Sequence, residues 1–246
     1  MNQAAQTVNR SRVGSFCNTQ TARDIFDLIS YSAKAKDIGM ILGNPGVGKT
    51  TAIQQYARSS IDARVCTMSP ATSSMSAALT YICEVIGARS ARTNYEKHEL
   101  ICNALNYWDD KLFLIVDEAQ HLNDLTIDEL RCIHDETGHG LVLCGNATFK
   151  TRFNNTKAAS FAQFTSRLGM KLELWETTSA DVETICEHYN VHGTKAFDFL
   201  YGHARTSGGL RVVTKLIDVA ASFVLENQPI KIDHLKDAAK VLGRTK

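Results

Sequence analysis

The run Gly43-Asn44-Pro45-Gly46-Val47-Gly48-Lys49-Thr50 fits G-x-x-x-x-G-K-[ST] at every fixed position. Its glycines let backbone N–H groups turn inward onto phosphate oxygens, and a helix starting behind them adds its positive end. Lys49 has the reach and charge for β- and γ-phosphates, the Thr50 hydroxyl can ligand Mg²⁺, and Thr51 completes the candidate nucleotide contacts. A chance glycine-rich turn is the plain alternative. Against it stands the context, an apolar run Ile38–Leu42 before and a helical pattern Thr50–Ser59 after. A second candidate site closes the apolar run Lys111–Val116 with Asp117 and Glu118. Asp117 can hold Mg²⁺, usually through a water, and Glu118 can orient and polarise an attacking water. A strand that merely ends in a polar turn is the competing reading. An acid directly after the metal acid favours hydrolysis over transfer to a substrate.

Three further polar residues stand where they can complete such a site. Asn146 follows the apolar run Leu141–Cys144 and can hydrogen-bond a γ-phosphate and the attacking water; Asn used for its turn chemistry is the competitor. Arg167 precedes a presumed edge strand, where it can reach a neighbouring subunit's nucleotide and neutralise transition-state charge, with Arg152 as the runner-up for that role. Arg211 begins a long C-terminal helix and can contact the γ-phosphate of its own subunit, coupling domain angle to nucleotide. Either arginine can instead be a surface ion-pair residue.

The elements that must position these residues follow from hydrophobic pattern. Strand-length runs at Ile38–Leu42, Arg64–Met68, Leu112–Val116, Leu141–Cys144 and Met170–Trp175 alternate with helical stretches Thr50–Ser59, Ser73–Ile86, Tyr95–Trp108 and Ile127–Glu136. That alternation predicts an α/β domain with a parallel sheet covered by helices. After Trp175 only helices are expected, at Ala180–Tyr189, Thr194–Thr206, Gly209–Glu226 and Lys231–Gly243, with Thr178 or Ser179 as the first cap. The expected organisation is a flexible polar segment over 1–20, an α/β domain over 21–176 and a small helical domain over 177–246.

Composition narrows the class. The chain has 246 residues with 44% hydrophobic and 22% charged, ordinary for a water-soluble globular protein. No apolar run approaches the roughly 20 residues that span a bilayer, and Met1–Cys17 has no signal-peptide core. The seven scattered cysteines form no C-x-x-C pair and read as reduced thiols of a cytoplasmic protein; the eight histidines show no metal-ligand spacing. Net charge is +1, but its distribution is uneven. Residues 1–23 carry Arg10, Arg12 and Arg23 and no acid, and residues 137–172 carry Lys150, Arg152, Lys157, Arg167 and Lys171 and no acid. Such segregation can present a basic surface to a polyanion, or simply solvated faces of mixed sign.

In this order, the elements resemble the AAA+ family: Walker A at Gly43–Thr50, Walker B at Asp117-Glu118, sensor 1 at Asn146, an arginine finger at Arg167 and sensor 2 at Arg211. The chain further resembles the phage Mu B transposition-protein family and the related TnsC regulators. The segments that carry this are Asp117–Leu122, Leu130–Asp135, Gly140–Asn146 and Ser166–Gly169. The resemblance implies a P-loop fold with a five-stranded parallel sheet and a helical lid, ATP and Mg²⁺ as cofactors, and hydrolysis of ATP. It implies assembly as a ring or helical filament on double-stranded DNA without regard to base sequence, together with target selection and recruitment of a transposase. The setting is the cytoplasm of a bacterium or phage host, with no membrane partner. The Mu B protein carries a helix-turn-helix domain ahead of its ATPase core. With the P-loop at residue 43, DNA contact is expected from the core itself. Ser73 and Ser74, the basic connection with Arg89, Arg92 and Lys97, and more weakly Lys150 and Arg152 are the candidates for phosphate contact, with ordinary polar loops and caps as the alternative. The basic stretch Lys236–Lys246 is a further candidate contact. A secretion ATPase of the ExeA type, usually joined to membrane and peptidoglycan-binding parts, and a nucleotide-gated scaffold or replication-loader relative are the other readings.

Overall fold

A computed structural model describes residues 14–89, 91–107, 112–155, 159–225 and 228–244. Arg10, Arg12, Lys111, Lys157, Lys246 and the lead-in expected before Gly14 lie outside the described residues. Helix α1 (Gln20–Ala35) leads into β1 (Ile38–Gly43), α2 (Lys49–Ser59), β2 (Ala63–Thr67), α3 (Met75–Ile86), α4 (Asn94–Tyr107) and β3 (Phe113–Asp117). Then follow α5 (Asp124–Thr137), β4 (Leu141–Gly145), α6 (Ala147–Asn155), α7 (Ala159–Ser166) and β5 (Leu168–Leu174). The rest is helical: α8 (Ser179–His188), α9 (Thr194–Ala204), α10 (Gly209–Ala221) and α11 (Ile232–Val241).

The five strands form one sheet in the order β2-β3-β4-β1-β5. Neighbours β1/β4, β3/β4 and β2/β3 run parallel, with Leu42 opposite Gly145, Val116 opposite Leu143 and Thr67 opposite Asp117. Parallel strands under helices bury both faces, which explains why β1, β3 and β4 are apolar without alternation and buried throughout. The edge strands β2 and β5 keep exposed positions. This is the α/β P-loop fold expected. The register also brings the C-terminal ends of β1, β3 and β4 to one edge, where ligands bind in open α/β sheets.

Three helices, α1, α6 and α7, were not among those expected. Helix α1 buries Ala22, Ile25, Leu28 and Ile29, a stripe at helical spacing. It packs against β1 so closely that a Cβ on Gly39 would stand 2.2 Å from Ser32 Oγ. Only glycine lets the helix rest there.

The described residues fall into two compact units, one holding 24–43 and 49–173, the other 14–23, 44–48 and 174–244. The second is built on a core from Val182, Ile185, Leu200, Val213, Leu216 and Leu235. Thr178 caps α8, accepting from Asp181 N at 3.1 Å. Residues 14–20, expected to end a loose lead-in, are tethered instead. Ser15 Oγ lies 2.7 Å from His188 Nε2, and Cys17 Sγ donates to Thr184 O at 3.6 Å. Next to them, the buried Asp181 carboxylate accepts from Thr21 N at 3.0 Å and from Thr21 Oγ1 at 2.6 Å. Among the described residues no helix is long and apolar enough to cross a membrane.

Candidate functional site

At Gly43 the chain leaves the sheet, turns through residues 44–48 and enters α2 at Lys49. Gly46 and Gly48 have φ of +86° and +103°, the left-handed backbone that turns successive N–H groups to one side. Lys49 Nζ donates to Gly43 O at 2.8 Å. Thr50 Oγ1 donates to Asp117 Oδ2 at 2.7 Å, joining the start of α2 to the end of β3. Asp117 is buried, and its other oxygen accepts from Glu118 N at 2.9 Å. A hydroxyl and a buried carboxylate in contact at the mouth of a phosphate loop fit one hard cation by donor type, both being oxygen ligands. On the intervening β4, burial and then the negative charge of Asp117 hold the Cys144 thiol well above its ordinary range, so it stays neutral.

Glu118 has φ +56° and ψ 37°, a left-handed conformation rare for a residue with a side chain. Its carboxylate accepts from Gln120 Nε2. The turn is held from behind by Arg152, whose Nη1 donates to Leu122 O at 2.7 Å and Gln120 O at 3.3 Å and whose Nη2 pairs with Asp124. The structure thus ties Arg152 to its own subunit's acidic turn. Asn146 Oδ1 caps α6, accepting from Thr148 N at 2.9 Å and Phe149 N at 3.3 Å. The turn chemistry is real, and Nδ2 is the end of that amide left to donate to a phosphate.

Sequence reasoning missed how the tip of the loop is held. Asn44 N donates to Leu174 O at 3.0 Å and Asn44 Nδ2 to Trp175 O. Gly46 O accepts from Arg211 N at 3.3 Å, and a Cβ on Gly46 would stand 2.0 Å from Gly208 O. Backbone therefore packs directly on backbone, and the Gly208-Gly209 pair ahead of Arg211 was the available signal. Val47 is buried beside exposed Asn44 and Pro45, and Thr51 is exposed on α2. The Arg211 side chain is exposed at the first turn of α10. Arg167 is also exposed but partnered: its Nε donates to Asp135 Oδ1 at 2.8 Å and its Nη2 to Asp135 Oδ2 at 3.4 Å. Partial burial works the other way, yet Arg167 and Arg131 hold the Asp135 carboxyl below its usual value.

The candidate DNA contacts are of two kinds. Ser73, Arg89 and Arg92 are exposed. Ser74 caps α3 through Ala77 N, and it lines an open groove of about 440 Å³ with Thr72, Ser76, Thr80, Tyr81 and Glu84. Lys97 is different. Its side chain is buried, with Nζ on Ser76 Oγ at 2.8 Å and Ser76 O at 3.2 Å, so it braces α4 on α3 and presents no charge to a polyanion. Lys150 Nζ is on Glu173 at 2.6 Å.

A phosphate loop after an inner strand, with an acid pair closing the strand two places away in the sheet, defines a P-loop ATPase of the AAA class. Residues 32–153 match the family described as AAA domain, and residues 166–242 match Mu B transposition protein, C terminal. Over 204 residues the chain is 32% identical to the Mu-like prophage FluMu DNA transposition protein B of Haemophilus influenzae, spanning 81% of this chain and 70% of that one. It is 28% identical over 230 residues to the ATP-dependent target DNA activator B of Escherichia phage Mu, spanning 92% and 73%. The chain belongs to the Mu B transposition protein family. Among solved structures the fold is similar to Cdc6p from Pyrobaculum aerophilum, with a TM-score of 0.67, 16% identity, and coverage of 90% of this chain and 66% of that one. It is also similar to RuvB from Thermotoga maritima, with a TM-score of 0.56, 18% identity, and coverage of 90% and 69%.

Proposed function

We propose that this chain is an Mg²⁺-dependent ATPase that regulates DNA transposition in the cytoplasm of the bacterium carrying the element. In its ATP-bound form it assembles on double-stranded DNA as a filament or ring, marks target DNA, and recruits and stimulates a transposase. The observation that carries the ATPase half is the Thr50–Asp117 hydrogen bond beside Lys49 and Glu118. Membership of the Mu B family supports the transposition half.

In this reading the loop N–H groups and Lys49 hold the phosphates, and Lys49 exchanges its contact with Gly43 O for the β- and γ-oxygens. Thr50 and Asp117 are the residues to hold Mg²⁺, which supplies charge neutralisation at the phosphates. Glu118 orients the attacking water and Asn146 Nδ2 steadies the γ-phosphate. Arg167 acts on a neighbouring subunit's nucleotide and Arg211 on its own. Exposed Ser73, Ser74, Arg89 and Arg92 are the proposed contacts to DNA phosphates; such contacts carry affinity and no base readout.

Filter retention of non-specific duplex DNA, with and without ATP across a salt series, tests the reading. The expected result is ATP-dependent, sequence-independent retention whose log affinity falls with log salt at about −0.9 per phosphate neutralised. Equal retention without nucleotide, or none at the lowest salt, overturns it.

A further inference from the structure

Away from the phosphate loop, helices α4 and α5 bring together donor groups of three kinds. His98 and Cys102 are four residues apart on α4, so they share one face of it. Glu129 and Glu136 come from α5. His98 Nδ1 lies 2.7 Å from Glu129 Oε1 and its Nε2 lies 2.9 Å from Glu136 Oε2. A ligand atom from each of His98, Cys102 and Glu136 falls within 4.8 Å of the others. We propose that His98 Nε2, Cys102 Sγ and the Glu136 carboxylate bind one divalent cation of the zinc class, at a site separate from the Mg²⁺ position assigned to Thr50 and Asp117.

The donor chemistry selects the ion. An imidazole nitrogen, a thiolate and a carboxylate suit Zn²⁺ or Co²⁺, whereas Mg²⁺ and Ca²⁺ take oxygen donors. Bonds of about 2.0–2.3 Å put the ligands of a tetrahedral ion roughly 3.5 Å apart. The three groups need to close by only about an ångström, and exposed Glu136 has the freedom to do it. That exposed carboxylate also marks the entry path, while Cys102 forms the buried floor.

Glu129 completes the arrangement. A ligating histidine almost always donates its second ring nitrogen to a carboxylate or carbonyl, which fixes the tautomer and aims the ring. Glu129 stands at that place on Nδ1. Burial, and then the charge of Glu136, push the Cys102 thiol up to about 12 without a cation. A bound cation reverses that, since a coordinating thiol is deprotonated outright. The competing state is a protonated His98 bridging the two glutamates. Burial opposes that charge, but the hydrogen bonds to Glu136 and Glu129 hold the ring above its ordinary value. In that state the cluster ties α4 to α5 and takes up no metal.

The test titrates the chelator-treated full chain with Co²⁺ alone, following thiolate-to-cobalt charge-transfer absorption, and then displaces it with Zn²⁺. Expected are uptake with a thiolate band, loss of that band in Cys102→Ser, and affinity lowered at least tenfold in His98→Ala. Glu129→Gln, which alters only the group behind the ring, is expected to weaken binding about 10- to 100-fold. Circular dichroism confirms that each variant is folded; should Cys102→Ser or His98→Ala fail, Glu129→Gln decides. Absence of a thiolate band in the parent chain overturns the proposal. So does a band that survives Cys102→Ser, or an affinity indifferent to Glu129→Gln.

Discussion

Glu118 stands in a conformation that costs a residue with a side chain about 1–3 kcal/mol. Gln120 and, behind the turn, Arg152 supply the contacts that hold it there. Strained residues cluster at functional sites, which supports the water-orienting role proposed for Glu118, and the strain separates two substitutions. Glu118→Gln keeps the backbone and loses the charge, so we expect nucleotide binding to survive and turnover to fall about 10²- to 10⁴-fold. Glu118→Gly also relieves the strain, so it should be equally inactive yet melt no lower than the parent. ATPase assays with thermal melts of both variants check this; turnover near the parent rate in Glu118→Gln refutes the assignment. Lys49, Thr50, Asp117 and Glu118 were legible in the sequence because motif spacing fixes them on a strand–loop–helix frame. The burial of Lys97 and the convergence of Glu136 on His98 and Cys102 were not. Both depend on helix faces meeting across α3, α4 and α5, which residue type and local spacing do not encode.

At the scale of elements, the inner strands were legible because burial on both faces leaves an unbroken apolar run. Helix α1 was overlooked although Ile25, Leu28 and Ile29 carry the helical period, its polar surroundings masking a short stripe. Beyond any pattern of period lies the seat of the loop tip at Gly46, made by backbone alone. A methyl group there would meet Gly208 O at 2.0 Å, on a residue whose φ of +86° already disfavours a side chain. Gly46→Ala is therefore expected to lower stability by about 1–3 kcal/mol in nucleotide-free buffer. A Gly46→Ala chain that melts with the parent in nucleotide-free buffer would show that the contact with Gly208 yields without cost.

For the whole molecule the question is what Arg167 does once a second copy is present. In the single chain it lies on Asp135, with the arginine side chain 47% exposed. Exposed pairs of this kind contribute about 0–1 kcal/mol, so giving one up costs little. Asp135 can therefore hold the guanidinium and release it when a neighbour's phosphates come within reach. Pattern in one chain cannot show such a transfer, because in the proposed assembly half of the completed site comes from another copy. Mixing two variants makes it visible. Glu118→Gln lacks the proposed water-orienting acid but retains Arg167, and Arg167→Ala lacks the arginine but retains Glu118. Each alone should hydrolyse ATP at a small fraction of the parent rate on DNA. In an equal mixture, random neighbours join an intact Glu118 to an intact Arg167 at about one interface in four. ATPase activity should then recover to roughly that fraction. An arginine acting within its own subunit gives a mixture no faster than the mean of its two components, and that outcome would move the proposed trans role away from Arg167.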